Sequence, residues 1–201
     1  MNINNKSNKV YIHESSYIDE DVIIGSGTKV WHFSHIQSGA SIGKNCTLGQ
    51  NVNVANNVKI GNYCKIQNNV SLYEGVILEN YVFCGPSMVF TNIIKPRCKY
   101  PQRGGNYYKK TIVKEGASIG ANATIICGIT IGRHSLISAN ALVNKDVPDH
   151  ALMIGSPAIQ RGWIDEKGNK LALKNDSKWI QSEDGYFYSI NDNILKKRKE
   201  V

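Results

Sequence analysis

The sequence predicts an all-β fold: a parallel β-helix of six-residue repeats with one long insertion loop and a short C-terminal extension. Two regularities predict it. An apolar residue recurs every six positions, and a small or β-branched residue stands four positions after it, often preceded by Gly or Asn. A period of six fits neither a helix of 3.6 residues per turn nor a simple alternating strand. It fits a short strand followed by a corner.

The repeat runs through most of the chain. It is unbroken from Ile12 to Phe90 and resumes from Val113 to Val143. In each unit the β-branched residue is expected to point inward from a strand, and the Gly or Asn to adopt the positive φ of a tight corner. Three units close one triangular coil of 18 residues, and coils stack at about 4.8 Å, the ordinary interstrand spacing.

Composition limits the domain organisation and the partners. The 201 residues include 41% hydrophobic and 20% charged residues, which is typical of a globular chain. We expect a β-helix over residues 9–160, with an insert at 91–112, and an extension over 161–201. No apolar run is long enough to span a membrane, and the polar start lacks the apolar stretch of a signal peptide. We therefore expect a cytoplasmic protein without a membrane partner.

Charge and cysteine content narrow the function further. The net charge is +8, and the run Lys196-Lys197-Arg198-Lys199 contributes to it. Such a run is compatible with nucleic-acid binding, but we interpret it as a solvated tail, because no aromatic stacking pattern accompanies it. No nucleic-acid partner is expected. Five cysteines without a CxxC spacing predict reduced, mostly packed thiols and no zinc site.

The interruption of the repeat is the second signal. The insert contains Pro96, Pro101, Gly104 and Gly105, so it is expected to leave the prism as a loop. Long loops in compact folds are often functional. This one is rich in cations and tyrosines, a combination that suits a nucleotide diphosphate. These residues are Lys95, Arg97, Arg103, Lys109, Lys110, Tyr100, Tyr107 and Tyr108.

Stacking predicts neighbours, because residues 18 apart lie one above the other. Asn92 is expected over Glu74, and Thr91 over Tyr73. If the register is kept across the insert, Cys127 lies one coil above Asn92.

Six segments resemble one enzyme group in particular. They are WHFSHI (31–36), LGQNVNV (48–54), KIQNNVSLYEGV (65–76), VFCGPSMVFTN (82–92), SIGANATIICG (118–128) and GSPA with GW (155–163). Over residues 9–171 the chain resembles hexapeptide-repeat N-acetyltransferases that act on UDP-2-acetamido-3-amino-2,3-dideoxy-glucuronate in bacterial surface-polysaccharide (lipopolysaccharide-type) pathways. A sister group acts on dTDP-3-amino-3,6-dideoxyhexoses and shares the architecture but not KIQNNVS, which favours the UDP-uronate substrate.

The resemblance implies several properties. The helix would be left-handed, against the usual right-handed rule for parallel crossovers. The protein would be a homotrimer with each site between two subunits, and acetyl-CoA would be the co-substrate, with no metal. The amine of the nucleotide sugar would attack the thioester directly, oriented by Asn92, with the CoA sulfur as eventual proton acceptor. From its place below Asn92, Glu74 would either polarise Asn92 or the amine or be a plain surface carboxylate. Other hexapeptide acyltransferases use a His base, for which His35 and His32 are the candidates here; both are equally compatible with solvated positions on the outer face.

The remaining candidates divide into two groups. The expected substrate contacts are His32, Gln67, Asn68, Asn69, Tyr73 and Arg97; Arg97 would meet the uronate carboxylate or a phosphate. Asn68 and Asn69 are equally compatible with a structural ladder above Gln50 and Asn51. The resemblance places CoA along the upper coils, at Gly120, Asn122, Ser138, Ala139, Gly155, Ser156, Pro157, Ala158 and Arg161.

Two other functions compete with this interpretation. A zinc carbonic anhydrase of the same fold needs three converging His ligands, and the five His residues show no suitably spaced pair. A non-catalytic scaffold would need neither the basic insert nor a CoA-type tail. Loss of activity with a chelator would favour the first, and absence of CoA binding in calorimetry the second.

Overall fold

The computed structural model describes residues 9–173, 178–192 and 194–199, and every regular element in these ranges is a strand. Twenty strands build the coils: β1 Tyr11–Ile12, β2 Tyr17–Ile18, β3 Ile23–Ile24, β4 Lys29–Val30, β5 His35–Ile36, β6 Ser41–Ile42, β7 Thr47–Leu48, β8 Asn53–Val54, β9 Lys59–Ile60, β10 Lys65–Ile66, β11 Ser71–Leu72, β12 Val76–Leu78, β13 Phe83–Cys84, β14 Val89–Phe90, β15 Thr111–Val113, β16 Ser118–Ile119, β17 Thr124–Ile125, β18 Thr130–Ile131, β19 Leu136–Ile137 and β20 Leu142–Val143. Six follow: β21 Ala151–Ile154, β22 Ile159–Ile164, β23 Lys170–Leu171, β24 Ile180–Gln181, β25 Phe187–Asn191 and β26 Ile194–Arg198.

The coil strands form three parallel sheets, which we call faces A, B and C. Face A begins β1-β4-β7-β10, face B begins β2-β5-β8-β11, and face C runs from β3 through β6 and β9 to β18. Partners are 18 residues apart, as in Tyr11↔Lys29 and Lys29↔Thr47. The prediction of 18-residue coils is confirmed, and the stack is the left-handed parallel β-helix that the resemblance implied.

The core is the axial column of inward residues. Ile36, Leu48 and Ile66 are each 0% exposed, as the six-residue pattern predicted. Burying one such side chain stabilises the fold by roughly 1.5–3 kcal/mol. Within the coils, Ser34 is a buried hydroxyl that donates to the corner carbonyl oxygen of Gly49 at 3.0 Å. The buried hydroxyl of Ser189, in β25, has no hydrogen-bond partner among the described residues.

The corners form three axial edges, which we name AB, BC and CA after the faces they join. Residues with positive φ repeat along each edge, and on edge AB these include Asn51, Asn69 and Asn122. The side chain of Asn51 donates to that of Asn69 at 3.0 Å. The amide ladder expected between these coils is therefore present.

The insert leaves edge BC without disturbing the stack. Face B ends a strand at Phe90, and face C resumes at Thr111. Across the insert, Val89 pairs with Thr124, so partners are 35 residues apart instead of 18, and 17 residues lie outside the coil. The register that the sequence analysis assumed is kept.

The chain above the coils turns antiparallel. β21, β22 and β23 extend face A, and β24, β25 and β26 form a separate three-stranded sheet. Lys197 and Arg198 lie in β26, over the rings of Tyr186 at 4.0 Å and Trp179 at 4.4 Å. The run is exposed to solvent, as predicted, but it is not a tail, because it belongs to a paired strand whose cations pack on aromatic rings.

All five cysteines are free thiols. Four are buried and Cys98, in the insert, is exposed, which confirms the prediction of reduced, mostly packed thiols. In the part of the chain that the structure describes, no helix is long and apolar enough to cross a membrane.

Candidate active site

The upper part of edge AB brings together the residues expected to hold CoA. The Asn122 backbone amide donates to the carbonyl oxygen of Pro86, and that of Asn140 to the carbonyl oxygen of Ala121. These bonds stack the corner from Gly120 to Asn122 beneath the equivalent corner from Ser138 through Ala139 to Asn140. Gly120 is required there, because a Cβ at this position would lie 2.4 Å from the backbone nitrogen of Ala139.

The segment Gly155–Ala158 closes the top of the same edge. The amide of Leu142 donates to the carbonyl oxygen of Gly155 at 3.0 Å, and the amide of Ala158 donates to that of Leu142 at 2.7 Å. Ser156 and Pro157 lie exposed between these bonds, and Arg161 is exposed on β22. Backbone groups and a hydroxyl therefore lie at the upper end of edge AB, and Arg161 lies on the adjoining strand of face A.

The lower part of edge AB carries a surface groove of about 320 Å³. It is lined by Trp31, His32, Thr47, Gly49, Gln50, Ile66, Gln67 and Asn68. Three predicted substrate contacts, His32, Gln67 and Asn68, therefore meet in one groove. A fourth predicted contact, Asn69, is exposed at the same corner, next to Asn68.

The root of the insert occupies edge BC. The backbone amide of Lys109 donates to the carbonyl oxygen of Asn92 at 2.9 Å and so closes the loop. Asn92 is half-buried, and in register it lies above Glu74, as predicted. Tyr73 is 41% exposed beside Glu74.

A second cavity, of about 270 Å³, lies on the face C side of this root. Glu74 lines it together with Lys59, Tyr108 and Lys110. Tyr108 folds back from the insert over face C. Two ammonium groups and one carboxylate give this cavity a net positive charge.

Arg97 lies in the exposed part of the insert, away from both edges. Its guanidinium donates to the carbonyl oxygen of Pro96 at 2.8 Å, and it lines a loop cavity with Cys98 and Arg103. Within one chain Arg97 is not joined to the other predicted substrate contacts.

Face B separates the two edges. From Asn69 to Tyr73 the chain crosses it in four residues, about 13 Å at the rise of a strand. His35 lies on this face, where Nε2 is 2.8 Å from a carboxylate oxygen of Asp19. Val89 is three strands above His35, about 14 Å at the ordinary interstrand spacing. One chain therefore does not bring His35 to Asn92.

Comparison with known proteins assigns the fold to a family. Residues 21–56 and 39–74 match the model described as bacterial transferase hexapeptide (six repeats), and residues 110–145 match the hexapeptide repeat of succinyl-transferase. The chain is 36% identical over 187 residues to the dTDP-3-amino-3,6-dideoxy-alpha-D-galactopyranose 3-N-acetyltransferase of Aneurinibacillus thermoaerophilus, covering 93% of this chain and 95% of the relative. This protein belongs to the hexapeptide-repeat acyltransferases.

Other relatives share shorter stretches of this acyltransferase. The galactoside O-acetyltransferase of Lactococcus lactis is 31% identical over 98 residues, 47% of this chain and 46% of the relative. Among solved structures, the acetyltransferase domain of PglB from Neisseria gonorrhoeae in complex with acetyl coenzyme A has a TM-score of 0.51 at 18% identity. That match covers 77% of this chain, which spans 58% of the other chain, and it supports the fold alone.

Trp31, Thr47 and Gln50 line the groove of this acyltransferase but are not among the residues predicted for its site. Gln50 was identified only as the residue beneath Asn68. Trp31 stands next to His32 in WHFSHI and was not considered as a contact. Applying the 18-residue offset to Gln67, which places Gly49 and Trp31 below it, would have found Trp31. Tyr108 was noted only as part of a basic, aromatic insert.

Among the described residues, no cluster of three or more His, Cys, Asp or Glu side chains has the geometry to hold a metal ion. The acyltransferase offers amides, hydroxyls and backbone groups along edge AB. Such groups bind and orient neutral and phosphate-bearing ligands by hydrogen bonds.

Proposed function

We propose that this protein transfers the acetyl group of acetyl-CoA to the 3-amino group of a nucleotide-linked amino sugar. One observation carries the proposal: the chain aligns over nearly its whole length, and over 95% of the relative, with an enzyme named as a nucleotide-sugar 3-N-acetyltransferase. The geometry of edge AB supports it, because two groups of candidate residues lie on one edge at different heights.

The two substrates would approach along the axis from opposite ends. The groove around His32 and Gln67 lies on the lower coils and suits the acceptor nucleotide. The backbone groups from Gly120 to Ala158 lie on the upper coils and suit the extended pantetheine arm of CoA. Asn92 stands at a height between them, where amine and thioester would meet.

The reaction needs no covalent enzyme intermediate. The lone pair of the sugar amine attacks the thioester carbonyl carbon, a C–N bond forms, the C–S bond breaks, and the amine proton passes to the departing sulfur to give CoA. Asn92 orients the amine by hydrogen bonding, because an amide cannot act as a base. Most of the rate enhancement then comes from positioning and from donors to the oxyanion.

A homotrimer would complete the site. Asn92 and the groove lie on different edges of one chain, separated by face B. The insert projects from edge BC with Tyr100 and Ile94 exposed, so it is suited to cover edge AB of a neighbouring subunit. Light scattering at the mass of three chains is expected, and a monomer in an active preparation would contradict this arrangement.

Two acceptors fit the proposal, and different observations favour them. The KIQNNVS segment favours UDP-2-acetamido-3-amino-2,3-dideoxy-glucuronate. The Aneurinibacillus relative favours dTDP-3-amino-3,6-dideoxygalactose, and Arg97, the residue expected to meet a uronate carboxylate, donates to the carbonyl oxygen of its neighbour Pro96. In either case the product is an acetamido sugar nucleotide, a precursor for surface polysaccharide made in the cytoplasm.

The test is an acetyl-transfer assay on a panel of nucleotide sugars, following release of the CoA thiol. The panel contains both 3-amino acceptors, their 4-amino isomers and free amino sugars. We expect turnover with at least one 3-amino nucleotide sugar and none with the free sugars. CoA binding in calorimetry without transfer to any member of the panel would overturn the proposal.

A further inference from the structure

The groove on the lower part of edge AB has one flat aromatic wall. The rings of Trp31 and His32 lie within 9° of parallel, with centroids 6.2 Å apart. The first coil supports both: His13 stacks on His32 at 3.5 Å, and Tyr11 packs on Trp31 at 5.4 Å. Trp31 nevertheless remains 37% exposed. The indole is therefore held in place while part of its surface stays open to a ligand.

The opposite side of the groove is made of side-chain amides. The backbone amide of Gln50 donates to Oδ1 of Asn68 at 2.9 Å, which turns the NH₂ group of Asn68 away from that bond. The side-chain amides of Gln50 and Gln67 have no hydrogen-bond partner among the described residues. Unpaired donors and acceptors therefore stand close to an open ring face.

Charge is absent inside the groove and present beside it. Apart from the imidazole of His32, no lining side chain is ionisable. Lys29 and Lys65 lie on the strands directly below and above Thr47 on face A. A neutral planar group therefore fits the groove, and an anionic group attached to it fits the lysines outside.

We propose that this groove binds the pyrimidine base of the acceptor nucleotide, with Trp31 as its stacking platform and Gln67 as the residue that reads its edge. A uracil or thymine ring presents a carbonyl, an N–H and a carbonyl in a row, which side-chain amides can match as donors and acceptors. Lys29 and Lys65 then face the diphosphate. The inference rests on the proposed function for the identity of the nucleotide, and the groove itself assigns the base.

Binding of dTDP, UDP, ADP and CoA to the full-length protein tests the assignment by calorimetry. Base stacking on an aromatic side chain is worth about 1–3 kcal/mol, so Trp31→Ala is expected to weaken dTDP or UDP binding at least fivefold and leave CoA binding unchanged. Trp31→Phe keeps a ring and should recover most of the loss. Tyr81→Ala is the matched control, because Tyr81 is an exposed ring on edge CA stacked on Tyr63.

A second variant keeps the test decisive if Trp31→Ala does not fold. Gln67→Leu retains the size of the side chain and removes its hydrogen bonds. We expect it to reduce the preference for UDP or dTDP over ADP while leaving the melting temperature unchanged.

The outcomes separate this inference from the proposed function. Unchanged pyrimidine nucleotide binding in a folded Trp31→Ala protein, or an unchanged preference for UDP and dTDP over ADP in Gln67→Leu, would overturn the groove assignment, even in an active enzyme. If Trp31→Ala lost CoA binding but retained dTDP binding, the groove would be assigned to the adenine of CoA, and the proposed pyrimidine site would also be overturned. Conversely, Trp31-dependent dTDP binding in a protein that acetylates no amino sugar would support the groove and refute the proposed reaction.

Discussion

The backbone amide of Cys127 donates a hydrogen bond of 2.9 Å to the hydroxyl oxygen of Thr91, across 36 positions of sequence. This bond ties the coil above the insert to the coil below it, directly beside the point where the insert leaves. Asn92 follows Thr91, and its carbonyl oxygen accepts from Lys109 where the insert returns. The root of the loop is therefore fixed by the β-helix on both sides, which gives Asn92 a defined position.

Asn92→Ala should lower kcat by roughly 100-fold, because orientation of the nucleophile accounts for much of the catalysis in a direct transfer. CoA binding should not change, since its expected contacts are on edge AB. Steady-state kinetics and calorimetry with CoA measure the two effects. The control is Asn56→Ala, an exposed Asn two coils below in the same column. Equal turnover in the two variants would remove Asn92 from the mechanism.

Close packing of coils at edge AB predicts a stability difference between two glycines. A Cβ at Gly120 would lie 2.4 Å from the backbone nitrogen of Ala139, whereas a Cβ at Gly105 meets nothing within 4 Å. Gly120→Ala should therefore cost about 1–3 kcal/mol of the free energy of unfolding, the usual range for overpacking. Gly105→Ala should be neutral. Thermal or chemical denaturation of both variants checks this, and a stable Gly120→Ala protein would mean that the coils separate easily at that corner.

Much of this architecture was predictable from the sequence because the structural period is short. Each inward residue, such as Ile36 or Ile66, occupies the same position of a six-residue unit and must be apolar there. The 18-residue offset then fixes the neighbours of Asn92 and Glu74. The packing of Lys197 and Arg198 was not predictable, because their aromatic partners, Tyr186 and Trp179, come from other strands of an antiparallel sheet with no repeat. The relation of Asn92 to the groove also escapes sequence reasoning, since the two lie on different edges of one chain.

Cys98 provides a reporter on the insert. It is exposed, and the other four thiols are buried. Burial raises the pKa of Cys84 to about 12. The hydrogen bond between Cys64 and Cys46 lowers the pKa of Cys46 to about 7, but Cys46 is only 1% exposed. One fast-reacting thiol is therefore expected with a chromogenic disulfide reagent in the folded protein.

Cys98→Ser should abolish that fast phase, and Cys46→Ser should leave it intact. A fast phase that persisted in Cys98→Ser would contradict this expectation. It would mean that the reagent reaches the buried thiol of Cys46 inside the coils. Slower labelling of Cys98 with bound dTDP or acetyl-CoA would indicate that the insert closes over ligand.

His150 predicts how stability depends on pH. Burial, reinforced by repulsion from His134, lowers the pKa of His150. Its ring also packs against Tyr188 of the C-terminal sheet, with centroids 5.7 Å apart. Two further charges act on it, Lys197 lowering its pKa and Glu166 raising it. The folded state therefore holds an imidazole that resists protonation at the contact between the last coils and the C-terminal sheet.

Because the folded pKa lies below the unfolded value, the unfolded chain binds more protons as pH falls below about 6.5. The contribution of neutral His150 to stability is therefore fully present above that pH and is lost as pH falls toward the folded pKa. The melting temperature should drop over this range by about 2–4 °C for each kcal/mol lost. Burial raises the pKa of Asp165, but hydrogen bonds from Ser182 and Asn169 outweigh it, so the pKa is lowered overall. The contribution of Asp165 to stability is therefore lost only as pH falls below the ordinary carboxyl value of about 4.

His150→Phe separates the titration from the packing, because it keeps a ring against Tyr188 and removes the ionisable group. Its melting temperature should be nearly constant between pH 7 and pH 5, whereas that of the native chain declines. The measurement is the midpoint of thermal unfolding followed by tryptophan fluorescence, since Trp179 lies in the C-terminal segment and Trp31 on the first coils. An unaltered pH dependence in His150→Phe would assign the proton uptake to another group.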